Sequence, residues 1–454
     1  MAFASINPFN GEALARVPKH APHEIEHALA SSARMAPIWR EGGYAPRAAL
    51  LNAVARLLRE RQDDYARLMA LEMGKPVREA RAEVLKCAWV CEFYAGQGEA
   101  MLADDVVASD ACESRVVYEP RGTVLGIMPW NFPFWQVLRA VAPIVMAGNT
   151  FLLKHASNVP QCAVALESLF RDAGAPEGVF SSLLVGSELV PALIDDVRVH
   201  GVTLTGSETA GRRVAALAGA ALKPVVMELG GSDAFVVLQD ADLELALDNA
   251  VRSRFQNTGQ SCIAAKRFIV HASLLDDFAA GMVTRVAALR QGDPLDESTD
   301  LGPLARPDLR QQVLEQVRSS KDAGADVVYG GAALAGRCAA MEPCVLKGVR
   351  PGMRAFDEEI FGPVAAICSA QDDLQALHLA NLSRFGLGGS VWTRDVARGE
   401  ALARAMECGA VFVNGMVKSD PRLPFGGCKV SGLGRELGVQ GLRAFTNAKT
   451  LWLA

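Results

Sequence analysis

"VHGVTLTGSETAGRRVAALAGAALKPVVMELGG", residues 199 to 231, sets the fold. It opens on a short run of β-branched and apolar residues, "GVTLT", and turns at Gly206. Apolar residues then recur at three- and four-residue spacing over 208–219, and the stretch closes on a second apolar run, "PVVMELGG". Strand, helix, strand in about thirty residues is the pattern of a βαβ unit, whose strands run parallel and are buried on both faces. The rhythm continues outward. "TVLGIMPW" (123–130), "TFLLKH" (150–155) and "SSLLVG" (181–186) read as strands, and 160–173 and 187–195 as helices. A second α/β stretch begins near "AFVVL" (234–238) and runs to about 430. The expected class is α/β, with parallel sheets covered by helices.

The ends have a different texture. "PHEIEHALASSARMAPIW", "APRAALLNAVARLLRERQDDYARLMALEMG" and "REARAEVLKCAWVCEFYAGQGEAML" carry helical periodicity, so the first hundred residues read as helical. "SRVVYEPRG" (114–122) reads as a strand and turn, and the tail "FTNAKTLWLA" as a strand with nothing after it to cover it. A chain of 454 residues is long enough for two or three domains. A net charge of −5 argues against nucleic acid or an anionic membrane as the partner. No apolar run reaches 18 residues and the N-terminus has no signal-like segment, which reads as a soluble, unexported protein. The ten cysteines form no C-x-x-C pair, and free thiols in a reducing cytoplasm fit them better than disulfides or a structural zinc.

Several side chains could carry chemistry. "HEIEH" (23–27) matches the H-E-x-x-H spelling, but no third ligand follows at a sensible spacing, and a solvated helix after Pro22 explains it; no metal is expected. The G-x-G-x-x-G fingerprint is absent. "GSETAG" (206–211) follows a strand and opens a helix, where free N–H groups favour a phosphate, although such turns are also common without ligands. Lys154 ends a buried strand, the edge at which α/β sheets bind ligands. Cys262, in "FQNTGQSCIAAKRF" (255–268), lies in a loop-like run. Glu228 ends a buried strand beside paired glycines, and Asn131 is framed by aromatic residues and prolines in "PWNFPFW". A thiol, a carboxylate and a side-chain amide can together perform acyl transfer without histidine. Each also has a plain structural reading: a core cysteine, a paired glutamate, a turn asparagine.

These motifs, with "LLKHASN", "EEIFGPV", "FVNG" and "PFGGCKVSGLGREL", resemble the aldehyde dehydrogenase superfamily along essentially the whole chain. "NFPFWQVLRA", "LLKHASNVPQC" and "NGMVKSDPRLPFGG" are similar to its shorter bacterial succinate-semialdehyde dehydrogenases. The resemblance implies a Rossmann-type cofactor domain (1–101 and 121–230), a catalytic domain (231–430) and a small β oligomerisation element (102–120 and 431–454). It implies Cys262 as nucleophile, Glu228 as general base and Asn131 as oxyanion donor. Met128, Trp130, Lys154, Ser157, Gly186, Ser207, Gly211, Glu359 and Phe361 match cofactor contacts. Ser157 stands where many NAD-preferring relatives have a glutamate, so NADP is expected to be preferred and NAD used less well. Arg139, eight residues after Asn131 and roughly 12 Å along a helix, matches a ligand of the substrate's distal carboxylate, with Ser419 as a second donor. Some relatives have a further arginine where this chain has Gln256. The role of Glu436 is left open. The implied reaction is oxidation of succinic semialdehyde by a cytoplasmic homodimer or tetramer. An acylating enzyme using coenzyme A and a scaffold without chemistry are the alternatives, the first disfavoured by Glu228 and the second by the intact Cys262, Glu228 and Asn131.

Overall fold

The computed structural model describes residues 2–454. Two large sheets organise it. The first has six strands, in the order Gly432–Leu433, Val225–Glu228, Val199–Thr205, Thr123–Met128, Thr150–His155, Phe180–Ser182. All its pairs are parallel except Gly432–Leu433 against Val225–Glu228. Alternating side chains bury both faces. Leu125 and Leu152 pack with Leu29 and Leu193, while Val124, Phe151 and Leu153 point to the opposite core around Met69, Val84 and Val141. Apolar runs of six residues without polar alternation are what such two-sided burial requires.

The second sheet has seven strands: Asp326–Gly330, Cys344–Lys347, Val364–Ala370, Ala265–His271, Asp233–Val237, Gly388–Trp392 and Ala410–Val413. Only its first pair is antiparallel. Phe235 and Val237 face one core, Ala234 and Val236 the other. A separate three-stranded antiparallel sheet joins Thr446–Leu453, Glu113–Pro120 and Asp105–Val106.

The structure departs from the sequence reading at two places. The helical N-terminus begins only at Pro22, because Ala2–Ile6 and Ala13–Pro18 form an antiparallel hairpin. Most of its side chains are at least partly exposed, so it lacks the apolar alternation that marks a strand. The stretch 431–454, grouped with the small β element, is divided. Gly432–Leu433 edges the six-stranded sheet and Gly438–Arg443 is a short helix, so only Thr446–Leu453 joins Glu113–Pro120. Two residues in a strand carry too little pattern to be read. Among the described residues no helix is long and apolar enough to cross a membrane.

Candidate active site

The parallel strands of the first sheet end along one edge, at Met128, His155, Ser182, Thr205 and Glu228. Asn131, Ser157, Gly186 and Ser207 lie just beyond those ends, and Lys154 one residue before. Strands of the second sheet begin at Asp233, Ala265 and Val364, and Cys262, Glu359 and Phe361 lie just before two of those starts. The chain crosses between the sheets through Leu229–Ser232, so the two edges meet in a seam. Gly231 N donates to Glu359 Oε1 at 3.0 Å, and the Trp130 and Phe361 rings meet edge-on at 5.8 Å. Asn131 Nδ2 donates to Gln260 O at 3.1 Å.

The Cys262 loop is held from every side. Asn257, Thr258 and Gly259 adopt φ of 50°, 56° and 75°, a left-handed run that two non-glycine residues take only under constraint. Asn257 N donates to Glu79 Oε2 (2.5 Å), and Asn257 Nδ2 to Asn131 O (2.7 Å). Ala305 N donates to Gln260 Oε1 (2.8 Å). Lys266 Nζ reaches Ser261 O (2.9 Å), Cys262 O (2.7 Å) and Ala264 O (3.3 Å). At Gly259 a Cβ would lie 2.3 Å from Gly362 O, so only glycine fits. Burial pushes the Cys262 thiol up to about 11, with Arg139 and Lys266 opposing that rise. The thiol is therefore protonated at neutral pH and must hand its proton to a base.

Glu228 is such a group. It is buried, and neither carboxylate oxygen has a hydrogen-bond partner among the described residues. Burial, and then the neighbouring Glu436, hold its carboxyl well above the usual range, while Arg139 and Arg435 pull the other way. A partnerless carboxyl this deep survives as the neutral acid and becomes a base when it ionises.

Arg139 is not the free guanidinium expected at a pocket mouth. It forms an ion pair with Glu436, donates to Thr205 Oγ1 at 3.2 Å and lies 4.6 Å from the Phe425 ring centre. The cause is the helix Trp135–Met146, every residue of which is buried. A cation inside it requires a carboxylate, and the C-terminal loop brings Glu436. Ser419, expected beside Arg139 as a substrate donor, is buried and accepts a hydrogen bond from Lys86 Nζ at 2.8 Å.

The dinucleotide side offers anion and hydroxyl partners. Lys154 is buried, has no ion pair or hydrogen bond from its ammonium group among the described residues, and is pulled below the usual lysine range by burial. Ser157 is exposed after the same strand end. At Gly186 a Cβ would meet the Glu188 carboxylate at 2.0 Å. Ser207 caps the helix Glu208–Ala220, accepting from Ala210 N at 3.3 Å. Gly211 lets that helix sit against Leu229, where a Cβ would be only 2.4 Å from Leu229 Cδ2. Met128 is buried at its strand end. These residues suit a dinucleotide phosphate and ribose. His23 and His27 face solvent on their helix, and His27 Nε2 meets Glu177 Oε1 at 2.8 Å.

The sequence reading missed the residues that fix the loop: Glu79, Asn257, Gln260 and Lys266. The one available signal was Lys266, a lysine inside the buried strand "AAKRF". Glu79 lies almost two hundred residues away and gave none. Beside the loop opens a cleft of about 460 Å³, lined by Glu79, Lys86, Phe132, Trp135, Phe255 and Gln256 among others.

Comparison with known proteins matches residues 1–451 to the aldehyde dehydrogenase family. A probable succinate-semialdehyde dehydrogenase [NADP(+)] of Synechocystis is 48% identical over 454 residues, covering 100% of both chains. A succinate semialdehyde dehydrogenase [NAD(P)+] of Escherichia coli is 48% identical over 448 residues, covering 99% of this chain and 97% of its own. Among solved structures, a succinic semialdehyde dehydrogenase from Streptococcus pyogenes in complex with NADP+ superposes with a TM-score of 0.97 at 35% identity, covering 100% of each chain.

Proposed function

This chain belongs to the aldehyde dehydrogenase family, and from that premise we propose that it oxidises succinic semialdehyde to succinate, with NADP+ preferred over NAD+. The observation that carries the reading is the seam between the sheets. It combines a constrained thiol, Cys262, and a partnerless buried carboxyl, Glu228, both acted on by the charge of Arg139, with the Asn131 amide tied into the Cys262 loop. The full-length similarity to succinate-semialdehyde dehydrogenases supports the substrate.

In this reading Glu228 accepts the Cys262 proton, and the thiolate adds to the aldehyde carbon. The second N–H of the Asn131 amide is available to the resulting oxyanion. The bound dinucleotide supplies the hydride acceptor. Loss of hydride leaves a thioester on Cys262; Glu228 passes the thiol proton on to solvent and, again a carboxylate, activates the water whose attack releases the acid and returns the thiol. Lys154 and Ser157 would hold the adenosine-side phosphate, the helix opened by Ser207 and packed through Gly211 would cradle the pyrophosphate, and Gly186 would let the chain approach closely. Glu359 would hold the ribose hydroxyls beside Phe361 and Trp130, and Met128 would floor the site. Arg139 serves as the countercharge of Glu436, and its own positive charge restrains the rise at both Glu228 and Cys262. The free thiols fit a cytoplasmic setting, and the terminal strand fits a homodimer or a tetramer built from it.

The test is a panel of aldehydes with each dinucleotide, read by reduced-nicotinamide absorbance with and without coenzyme A. Succinic semialdehyde with NADP+ should give the highest kcat/KM and need no coenzyme A. Silence in every mixture, or dependence on coenzyme A, would reject the reading.

A further inference from the structure

The loops that carry Asn131 and Cys262 are both tied to one helix, Val77–Met101. Its carboxylates Glu79 and Glu83 stand one turn apart and share a face. Glu83 Oε1 accepts from Phe134 N and Trp135 N, both at 2.9 Å, where the helix Trp135–Met146 begins and its N–H groups have no partner in the helix. The other oxygen of Glu83 is paired with Lys75, whose Nζ lies 3.7 Å from the Phe132 ring centre. From the Cys262 loop, Asn257 Nδ2 donates to Asn131 O at 2.7 Å, and Asn257 N to Glu79 Oε2 at 2.5 Å. Pro133 O meets His155 Nε2 at 2.9 Å. Each residue from Asn131 to Trp135 is thus held from outside its own loop. The side chains of Lys75 and Glu83 are 0% and 1% exposed, and a buried ion pair rarely stabilises more than apolar residues of the same size. The polar contacts of this pair converge on Phe132, Phe134 and Trp135, so what it supplies is one fixed loop conformation.

We propose that Glu83, fixed by Lys75, and Glu79, acting through Asn257, are positioning residues for the Asn131 amide. They hold the backbone on both sides of Asn131 while Gln260 O takes one of its amide N–H groups, which leaves the other a single direction in which to meet the oxyanion. A misplacement of about 1 Å in such a group costs about 100-fold in rate. This inference rests on the reading of Asn131 as the oxyanion donor.

The test uses two variants that remove both buried charges together. Lys75→Met/Glu83→Gln keeps a side-chain oxygen for Phe134 N and Trp135 N, and Lys75→Met/Glu83→Leu does not. With succinic semialdehyde and NADP+, the first should keep kcat within about threefold of wild type, and the second should lower it about 10- to 100-fold with KM little changed. In an Asn131→Ala background the difference between the two should shrink below about threefold, because no amide is left to place. If Asn131→Ala by itself leaves kcat unchanged, the oxyanion reading falls and the positioning role with it. If Asn131→Ala is slow, two results overturn the positioning assignment alone: the Leu variant losing the same factor in both backgrounds, or the Gln variant losing as much as the Leu variant. If the Leu variant fails to fold, Glu79→Leu releases the same loop through Asn257, and a loss as large without the Asn131 amide as with it counts against the assignment.

Discussion

At the residue scale, two acids share one problem. Cys262 and Glu228 are both pushed toward their protonated forms by burial, and neither is ready to react alone. In the enzyme without cofactor, the thiolate fraction should therefore grow about tenfold per pH unit up to roughly pH 10. The rate of Cys262 alkylation by iodoacetamide, followed by mass spectrometry, should rise with that slope; a plateau below pH 8 would contradict it. The sign follows from the thiol being the acid: raising pH removes the proton that blocks the nucleophile. Cys262→Ala should lower kcat by at least about 10³-fold while NADP+ binding, measured by fluorescence, is kept. Ser157 is the neutral neighbour of Lys154, so Ser157→Glu sets a carboxylate against a 2′-phosphate, and like charges in contact cost several kcal/mol. The kcat/KM order of the two dinucleotides should reverse.

At the element scale, the helix Trp135–Met146 shows what a sequence reveals and what it hides. Its position and its buried neighbours were readable, because "TVLGIM" and "TFLLKH" announce a two-sided parallel sheet on which a helix must lie. The eight-residue step from Asn131 to Arg139 gave the distance along the axis. It could not give the neighbour, because Glu436 arrives from almost three hundred residues away. Cys262, Glu228 and Asn131 were legible because each stands in an unusual local setting, whereas the residues that hold the loop come from remote segments. Arg139→Ala leaves Glu436 buried without its partner, a change that costs about 3–5 kcal/mol. Urea unfolding should show that loss, and kcat/KM should fall for succinic semialdehyde and butanal alike. A loss confined to the semialdehyde would return Arg139 to the carboxylate.

At the scale of the whole molecule, the three-stranded sheet is the part that the core does least to support. In Thr446–Leu453 only Thr446 is buried, and Trp452 and Leu453 are about half exposed. The strand pairs with Glu113–Pro120 over its full eight residues, and its other edge has no strand partner among the described residues. An open edge of that length invites a strand from another chain, and natural proteins seldom leave one uncovered. A second copy is the simplest cover, through a closed two-fold interface. The point of truncation decides whether the test is clean. Phe445 is buried, its ring lies against Gly201, and its carbonyl accepts from Asn149 Nδ2 at 3.2 Å, so it belongs to the core rather than to the edge. Removing 447–454 and keeping Phe445 and Thr446 should convert the assembly to a smaller species by light scattering at micromolar concentration, while far-ultraviolet circular dichroism remains close to that of the full chain. An unchanged mass would show that the strand is not part of the interface, and a monomeric full-length chain would remove the premise.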